Sequence, residues 1–323
     1  MRFRNTQPEQ LRIAYGADPA TTMSIVWQTA QPTQSQVVEY GTTKQLGLRA
    51  EGRRPTYAYE TGAIAEVLLT GLRPDTTYFY RVGDPAGGWS GVQSFRTGEP
   101  RPRRFTFTAF GDHGVSADAI QNVKNVLAER PRFHLLLGDV SYANGKQPIW
   151  DDYLKQIEPM TRVIPFMLTL GNHENEKLVV NGQEQRIGYA SYLARFALPG
   201  TEQWYTFDYG PARFVAFNSD DFANPEQLVW LEKTLAEARR DTKVNWVIVF
   251  QHHPLYSTSK GRGDNPALIQ TVAPLYDRYK VDLVLCGHDH HYERQYPMRA
   301  GQSTTLKKTD YRQGEGTLYI VEG

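Results

Sequence analysis

Five apolar runs in the later part of the chain each close on the same narrow set of polar residues. "RFTFTAFGD" (104–112) ends on Asp112 and "RFHLLLGD" (132–139) on Asp139. "VIPFMLTLGNHE" (163–174) carries Asn172 and His173 at its end, and "NWVIVFQHHP" (245–254) carries His252 and His253. "VDLVLCGHDHH" (281–291) carries His288, His290 and His291. Runs this densely apolar read as strands buried on both faces, so helices must cover the sheets they form. Helical spacing supplies them. Ser116–Arg130 has a serine at its N-cap and Pro131 after it, Pro225–Arg240 opens on proline, and Asn265–Tyr279 lies between the last two runs. "ARFVAFNSDD" (212–221) adds a further strand. The C-terminal ends of strands are where α/β folds gather ligands. One strand-end aspartate reads as a turn residue; five ends mixing Asp, Asn and His read as one site.

The histidines sharpen this. Of eight, all but His134 fall in strand-end segments. His134 lies inside a strand and reads as a packing residue. Carboxylate, amide oxygen and imidazole together suit first-row divalent or trivalent metals. So many donors suit two ions better than one, and a paired-metal site clamps a phosphoryl group and supplies a hydroxide nucleophile. The single cysteine, Cys286, forms no intrachain disulfide and reads as a small buried strand residue rather than a nucleophile.

Residues 1–98 follow another pattern. Short strands at 23–29, 35–41, 64–72, 77–84 and 91–97 alternate with Pro/Gly/Asp-rich turns, which predicts an antiparallel sandwich. "GLRPDTTYFYRV" (71–82) resembles the E–F corner of a fibronectin type III domain, which implies that Leu72 and Tyr78 pack the corner and Trp27 the core. Residues 99–104, within "GEPRPRR", carry two prolines and three arginines and read as a linker. The remainder, 105–323, is the second domain.

In order, "GD" (111–112), "GDVSY" (138–142), "GNHE" (171–174), "VFQH" (249–252) and "GHDH" (287–290) resemble the calcineurin-like metallophosphoesterase superfamily. Most of that superfamily has Asp-x-His in its first motif, with the histidine a ligand. Here that position is Gly114, and Tyr142 follows the second motif instead. The exchange resembles the purple acid phosphatases, in which a tyrosinate binds ferric iron, and the front sandwich resembles their plant-type, two-domain members. The resemblance implies an α/β fold of two packed mixed β-sheets flanked by helices. It gives Fe(III) the residues Asp112, Asp139, Tyr142 and His290. A second, divalent ion (zinc, manganese or iron) takes Asp139 as a bridge, Asn172, His252 and His288. A hard phenolate suits ferric iron, and the two carboxylates with the phenolate leave net positive charge for an anionic phosphate. His173 is then the candidate general acid for the leaving alcohol, or else an orienter of the ligands. In "GHDHHYER", Asp289 is expected to point away from the ions and His291 to be no ligand.

Two departures stand out. Family members carry a further phosphate-contacting histidine after the "VxxH" ligand; here that position is Gly261. Lys260 or Arg262 could bind phosphate in its place, as could His113 or His253. Family members also continue beyond "GTLYIVEG" (316–323) into Gly-rich sequence.

The expected activity is acid hydrolysis of phosphate monoesters. A phosphodiesterase or nucleotide pyrophosphatase is the alternative on the same residues. A non-catalytic adhesion protein predicts missing ligands, whereas all seven are present. Lys and Arg total 36 against 35 Asp and Glu, which argues against a nucleic-acid binder held by backbone electrostatics and leaves a phosphorylated small molecule as the expected partner. The sequence settles no oligomeric state. No run approaches membrane-spanning length, and "MRFRNTQPEQ" (1–10) has no apolar segment resembling a leader. The resemblance still leans towards a secreted or periplasmic protein.

Overall fold

The computed structural model describes residues 6–57, 60–180, 182–307 and 309–323; the first five residues, read above for a leader, lie outside them. The front region holds β1 (Glu9–Ala14), β2 (Met23–Thr29), β3 (Val37–Gly41), β4 (Leu48–Glu51), β5 (Ala63–Leu69), β6 (Thr77–Asp84), β7 (Gly88–Trp89) and β8 (Gln93–Arg96). They form two antiparallel sheets, β1-β2-β5 and β4-β3-β6-β7, with β8 also on β6. Trp27, Leu72 and Tyr78 are buried. The Tyr78 hydroxyl accepts the Arg73 N–H at 3.0 Å, which pins the corner between β5 and β6.

The later region holds β9 (Thr108–Phe110), α1 (Ala117–Glu129), β10 (His134–Leu136), α2 (Gln147–Thr161), β11 (Phe166–Leu168), β12 (Glu176–Val180), β13 (Gln183–Gly188), α3 (Ala190–Arg195), β14 (Tyr205–Tyr209) and β15 (Ala212–Ala216). After these come α4 (Pro225–Arg240), β16 (Trp246–Phe250), α5 (Pro266–Arg278), β17 (Leu283–Cys286), β18 (Tyr292–Arg294), β19 (Met298–Arg299), β20 (Gln302–Ser303) and β21 (Leu318–Glu322). One sheet is parallel, β11-β10-β9; the other is mixed, β14-β15-β16-β17-β21-β18. The caps behave as the side chains dictate. Ser116, Asn224 and Asn265 each accept a backbone N–H of the first turn they precede.

Several elements, among them β1, α2 and the β12–β13 pair, were not expected from the sequence. α2 packs against β1, so that β1 is covered on both faces, and β12–β13 forms a hairpin just after His173. The two regions share one apolar cluster, in which Leu11, Trp27, Tyr80 and Phe95 join Phe133, Trp150, Phe166 and Phe207. Polar links cross the same seam. The Tyr80 hydroxyl donates to the Arg162 carbonyl at 2.7 Å, Thr161 Oγ1 to the Leu11 carbonyl at 2.9 Å, and the Gln10 N–H to Glu158 Oε2 at 2.8 Å.

Candidate metal centre

The loops leaving β9, β10, β11, β16 and β17 converge. Asp112, Asp139, Tyr142 and His288 all sit at positive φ, between 49° and 72°, which L-residues adopt at a cost of roughly 1–2 kcal/mol each. Four strained residues in one cluster mean that surrounding contacts hold the loops against their own preference. Gly171 shows how closely they approach. A Cβ there would lie 2.2 Å from Asp139 Oδ1.

On one side, the Tyr142 hydroxyl donates to Asp112 Oδ1 at 2.9 Å, and His290 Nε2 lies 3.0 Å from that hydroxyl and 3.2 Å from Asp112 Oδ1. Gly114 makes room for the phenol ring. A Cβ there would stand 3.3 Å from Tyr142 Cδ2. On the other side, His252 Nε2 lies 3.1 Å from Asn172 Oδ1, 3.2 Å from Asp139 Oδ2 and 3.1 Å from His288 Nδ1. Its Nδ1 donates to the Leu137 carbonyl at 2.8 Å. That bond fixes the tautomer and turns the Nε2 lone pair towards an amide oxygen, a carboxylate and a second imidazole. Acceptor faces acceptor, an arrangement that only a proton or a cation satisfies.

The protein's own charges say the same. Burial disfavours a charged His252, but the hydrogen bond and charge of Asp139, helped by Asp112, outweigh it and lift the imidazole to about 9. Burial likewise opposes an ionised Asp139, yet His252 holds it below the usual carboxylate range. Asp112 is raised by burial and by Asp139, and the Tyr142 phenol by burial, Asp112 and Asp139. His288 is driven down to about 3 by burial and by His253 and His252. The pattern is a carboxylate cluster short of positive charge, with one imidazole held protonated by it and a second kept neutral.

The His173 ring lies tilted against Tyr142, 4.5 Å between ring centroids, and its Nδ1 meets Asn144 Oδ1 at 2.5 Å. Asn144 Nδ2 donates to the Tyr142 carbonyl, which fixes the amide's orientation. His173 Nε2 lies 3.7 Å from Asp139 Oδ2. Asp289 turns away from the cluster. Its carboxylate accepts from Ser257 Oγ, and from Arg262 Nη1 at 3.3 Å. His291 pairs with Glu293 at 2.9 Å. Lys260, Arg262, His290 and His291 line one cavity of about 550 Å³, and His253, Arg262 and His288 line a neighbouring one of about 210 Å³.

One expected substrate contact is corrected. His113 points into the core beneath α1, where Nε2 meets the Ala119 carbonyl at 3.0 Å and Nδ1 the Tyr153 hydroxyl at 3.4 Å. Burial lowers it to about 4, and both nitrogens are taken. His134 is buried with Nδ1 on Thr108 Oγ1, and Cys286 is buried with its thiol pushed up by that burial.

Sequence reasoning missed three residues. Glu174 is 1% exposed, and its carboxylate accepts the N–H groups of Gly171, Asp139 and Val140, each at 2.9 Å. It ties two ligand loops together. Asn144 orients His173, and Ser219 supports His252 and His253. The last residue of "GNHE" was a signal for Glu174; nothing local singles out the other two.

Residues 8–97 match the family described as purple acid phosphatase, N-terminal domain, and residues 105–292 match the calcineurin-like phosphoesterases. Purple acid phosphatase 22 of Arabidopsis thaliana is 32% identical, over 90% of this chain and 67% of its own length. The chain belongs to the purple acid phosphatase family. An uncharacterized protein of Mycobacterium tuberculosis is 33% identical over 97% of this chain and 68% of its own. The purple acid phosphatase PPD1 from yellow lupin (Lupinus luteus) seeds superposes with a TM-score of 0.84 at 25% identity. The match covers 98% of this chain and 65% of the lupin chain.

Membership of the purple acid phosphatase family makes this chain a metallophosphoesterase and implies a binuclear metal site. The converging acceptors fit such a pair. Asp112, Tyr142 and His290 would hold one ion, Asn172, His252 and His288 the other, and Asp139 reaches towards both.

Proposed function

We propose that this chain hydrolyses phosphate monoesters at acid pH. Fe(III) would be held by Asp112, Asp139, Tyr142 and His290, and zinc, manganese or iron(II) by Asp139, Asn172, His252 and His288. The observation that carries this reading is the Tyr142 hydroxyl, within hydrogen-bond reach of both Asp112 and His290, with Gly114 vacating the space beside it. A phenolate ligand distinguishes a trivalent iron site from a purely divalent one. When bound, the ion pair supplies Lewis acidity towards the phosphoryl oxygens and acidifies water.

The rest falls to the chain. Phosphoryl transfer needs positioning and charge more than covalent chemistry. Glu174 and the backbone it grips keep Asp139 and Asn172 in register. Asn144 Oδ1 accepts a hydrogen bond from His173 Nδ1–H, which leaves Nε2, on the Asp139 side, as the position from which a proton reaches the leaving alcohol. The cavity beside His290, with Lys260 and Arg262 on its wall, suits an anionic small-molecule substrate. The same reading takes the substrate as a phosphorylated small molecule, with no nucleic-acid or membrane partner, and the protein as secreted or periplasmic. Among the described residues no helix is long and apolar enough to cross a membrane.

The test is reconstitution with iron(III) and zinc. A visible charge-transfer band that disappears in Tyr142→Phe, with turnover of p-nitrophenyl phosphate, is the expected result. A colourless iron-loaded protein, or a band unchanged by Tyr142→Phe, sinks the iron assignment. Preferential cleavage of bis(p-nitrophenyl) phosphate would replace the monoesterase reading with a diesterase.

A further inference from the structure

His252, His253 and His288 bring three imidazoles together, close enough that one nitrogen from each lies within 4.8 Å of the others. By proximity alone His253 reads as one more ligand of the second ion. The hydrogen bonds behind the rings separate it from His252.

The Nδ1 of His252 rests on a carbonyl, which only accepts, so its proton is on Nδ1 and its lone pair is on Nε2. The Nδ1 of His253 rests instead on the Ser219 hydroxyl at 3.0 Å. That oxygen is buried and already receives two backbone N–H groups, from His253 at 2.8 Å and from His252 at 3.2 Å. A hydroxyl has two acceptor positions and one donor. Both acceptor positions are filled, so its proton goes to His253 Nδ1, and that nitrogen is unprotonated. A neutral imidazole with a bare Nδ1 carries its hydrogen on Nε2. The ring therefore offers a donor where His252 offers a lone pair.

This ring lines the cavity of about 210 Å³ shared with His288 and Arg262. Arg262 is anchored there. Its Nη1 donates to the His288 carbonyl at 2.6 Å and to Asp289 Oδ1 at 3.3 Å. An N–H donor and an anchored guanidinium on one wall match the oxygens of a phosphoryl anion.

We infer that His253 is not a metal ligand but a neutral Nε2–H donor that, with Arg262, receives the non-bridging oxygens of a phosphate group beside the second ion. This rests on the proposed phosphatase reading and adds a substrate-binding residue to it.

The experiment uses zinc-loaded, ¹⁵N-histidine-labelled protein, zinc being diamagnetic. Long-range ¹H–¹⁵N correlations are expected to show His253 as the Nε2–H tautomer, with its resonance identified by its loss in His253→Gln. Binding of inorganic phosphate, followed by calorimetry, is expected to weaken about tenfold in His253→Ala, as for one lost hydrogen bond to an anion. Both zinc ions should remain, and His253→Gln, whose amide still donates, should recover part of the affinity. A metal-bound or Nδ1–H pattern for His253, loss of a zinc ion in His253→Ala, or unchanged phosphate affinity would overturn the inference. These readouts need no turnover. A protein that binds phosphate through His253 yet cleaves no monoester fails the proposed function and leaves this inference intact.

Discussion

Replacing Glu174 with glutamine keeps the side chain's volume and removes its charge. The carboxylate is buried and accepts three backbone N–H groups, two on Oε2 (Gly171, Asp139) and one on Oε1 (Val140). An amide has one oxygen, so one or two of these donors would face an NH₂ group. Hydrogen bonds to a charged acceptor are worth about 1.5–3 kcal/mol each, so the loss is about 2–5 kcal/mol when the carboxylate is ionised. At roughly 2 °C per kcal/mol for a chain of this size, metal-loaded Glu174→Gln should melt about 4–10 °C lower. Chelation should change the sign of the comparison. With only the protein's own charges around it, Glu174 is raised to about 8, first by burial and then by Asp139. A carboxyl raised in the folded state binds more protons folded than unfolded. Its stabilising contribution is therefore complete below the unfolded value of about 4.3 and is lost as pH rises towards 8, with a slope of up to about 1.4 kcal/mol per pH unit. Glutamine has no such slope. In EDTA, the stability difference between wild type and variant should shift in favour of the variant from pH 4.3 to 8. Bound cations offset the Asp139 charge and restore the penalty. Denaturant unfolding at several pH values, with and without metal, measures this. An equal penalty in both forms, or a difference that is flat with pH in EDTA, would show that Glu174 is not the charged clamp described.

Cation loading should release protons, because His252 is protonated up to about 9 and the Tyr142 phenol is held above its ordinary value. Affinity should fall as pH drops, and calorimetry in buffers of different ionisation enthalpy should count about one proton fewer in Tyr142→Phe. His173→Ala should slow an alkyl phosphate by about 10²–10⁴-fold and p-nitrophenyl phosphate far less, since nitrophenolate leaves without a proton; equal losses on both substrates would remove the acid role. Tyr80→Phe deletes the bond to the Arg162 carbonyl and should lower stability by about 1–3 kcal/mol, with kcat unchanged, as judged by denaturant melts and steady-state rates.

The candidate ligands were legible because their chemistry is local. Asp, Asn or His at the end of an apolar run signals itself, whereas Gly114 with Tyr142 reads as an exchange only beside the family motifs the chain resembles. The groups that orient those ligands were not legible. Ser219 reaches His253 across 34 positions, and Glu174 reaches Val140 across the same span, through contacts that only the folded loops create. His113 misled because it neighbours Asp112. The backbone turns at positive φ there, and the next side chain goes under α1 rather than into the site. In the front region β1 escaped notice for a related reason. Gln10 and Arg12 look like the solvent face of an alternating strand, yet both are buried, with Arg12 Nε donating to the Arg195 carbonyl of α3. The β12–β13 hairpin had a sequence signal, the Asn181–Gly182 pair, set in an otherwise charged stretch.

The apolar cluster common to both regions bears on how such a protein can be taken apart. Trp27 and Tyr80 occupy the same interior as Trp150 and Phe166, so the front sandwich is a wall of the catalytic core rather than a passenger. A gene fragment beginning at the linker would display that wall's missing half as a sticky surface. In a calorimeter the intact chain should absorb its heat in one event. Exchanging front domains between relatives would then mean refilling a shared interior, because the new sandwich must fit residues it never evolved beside.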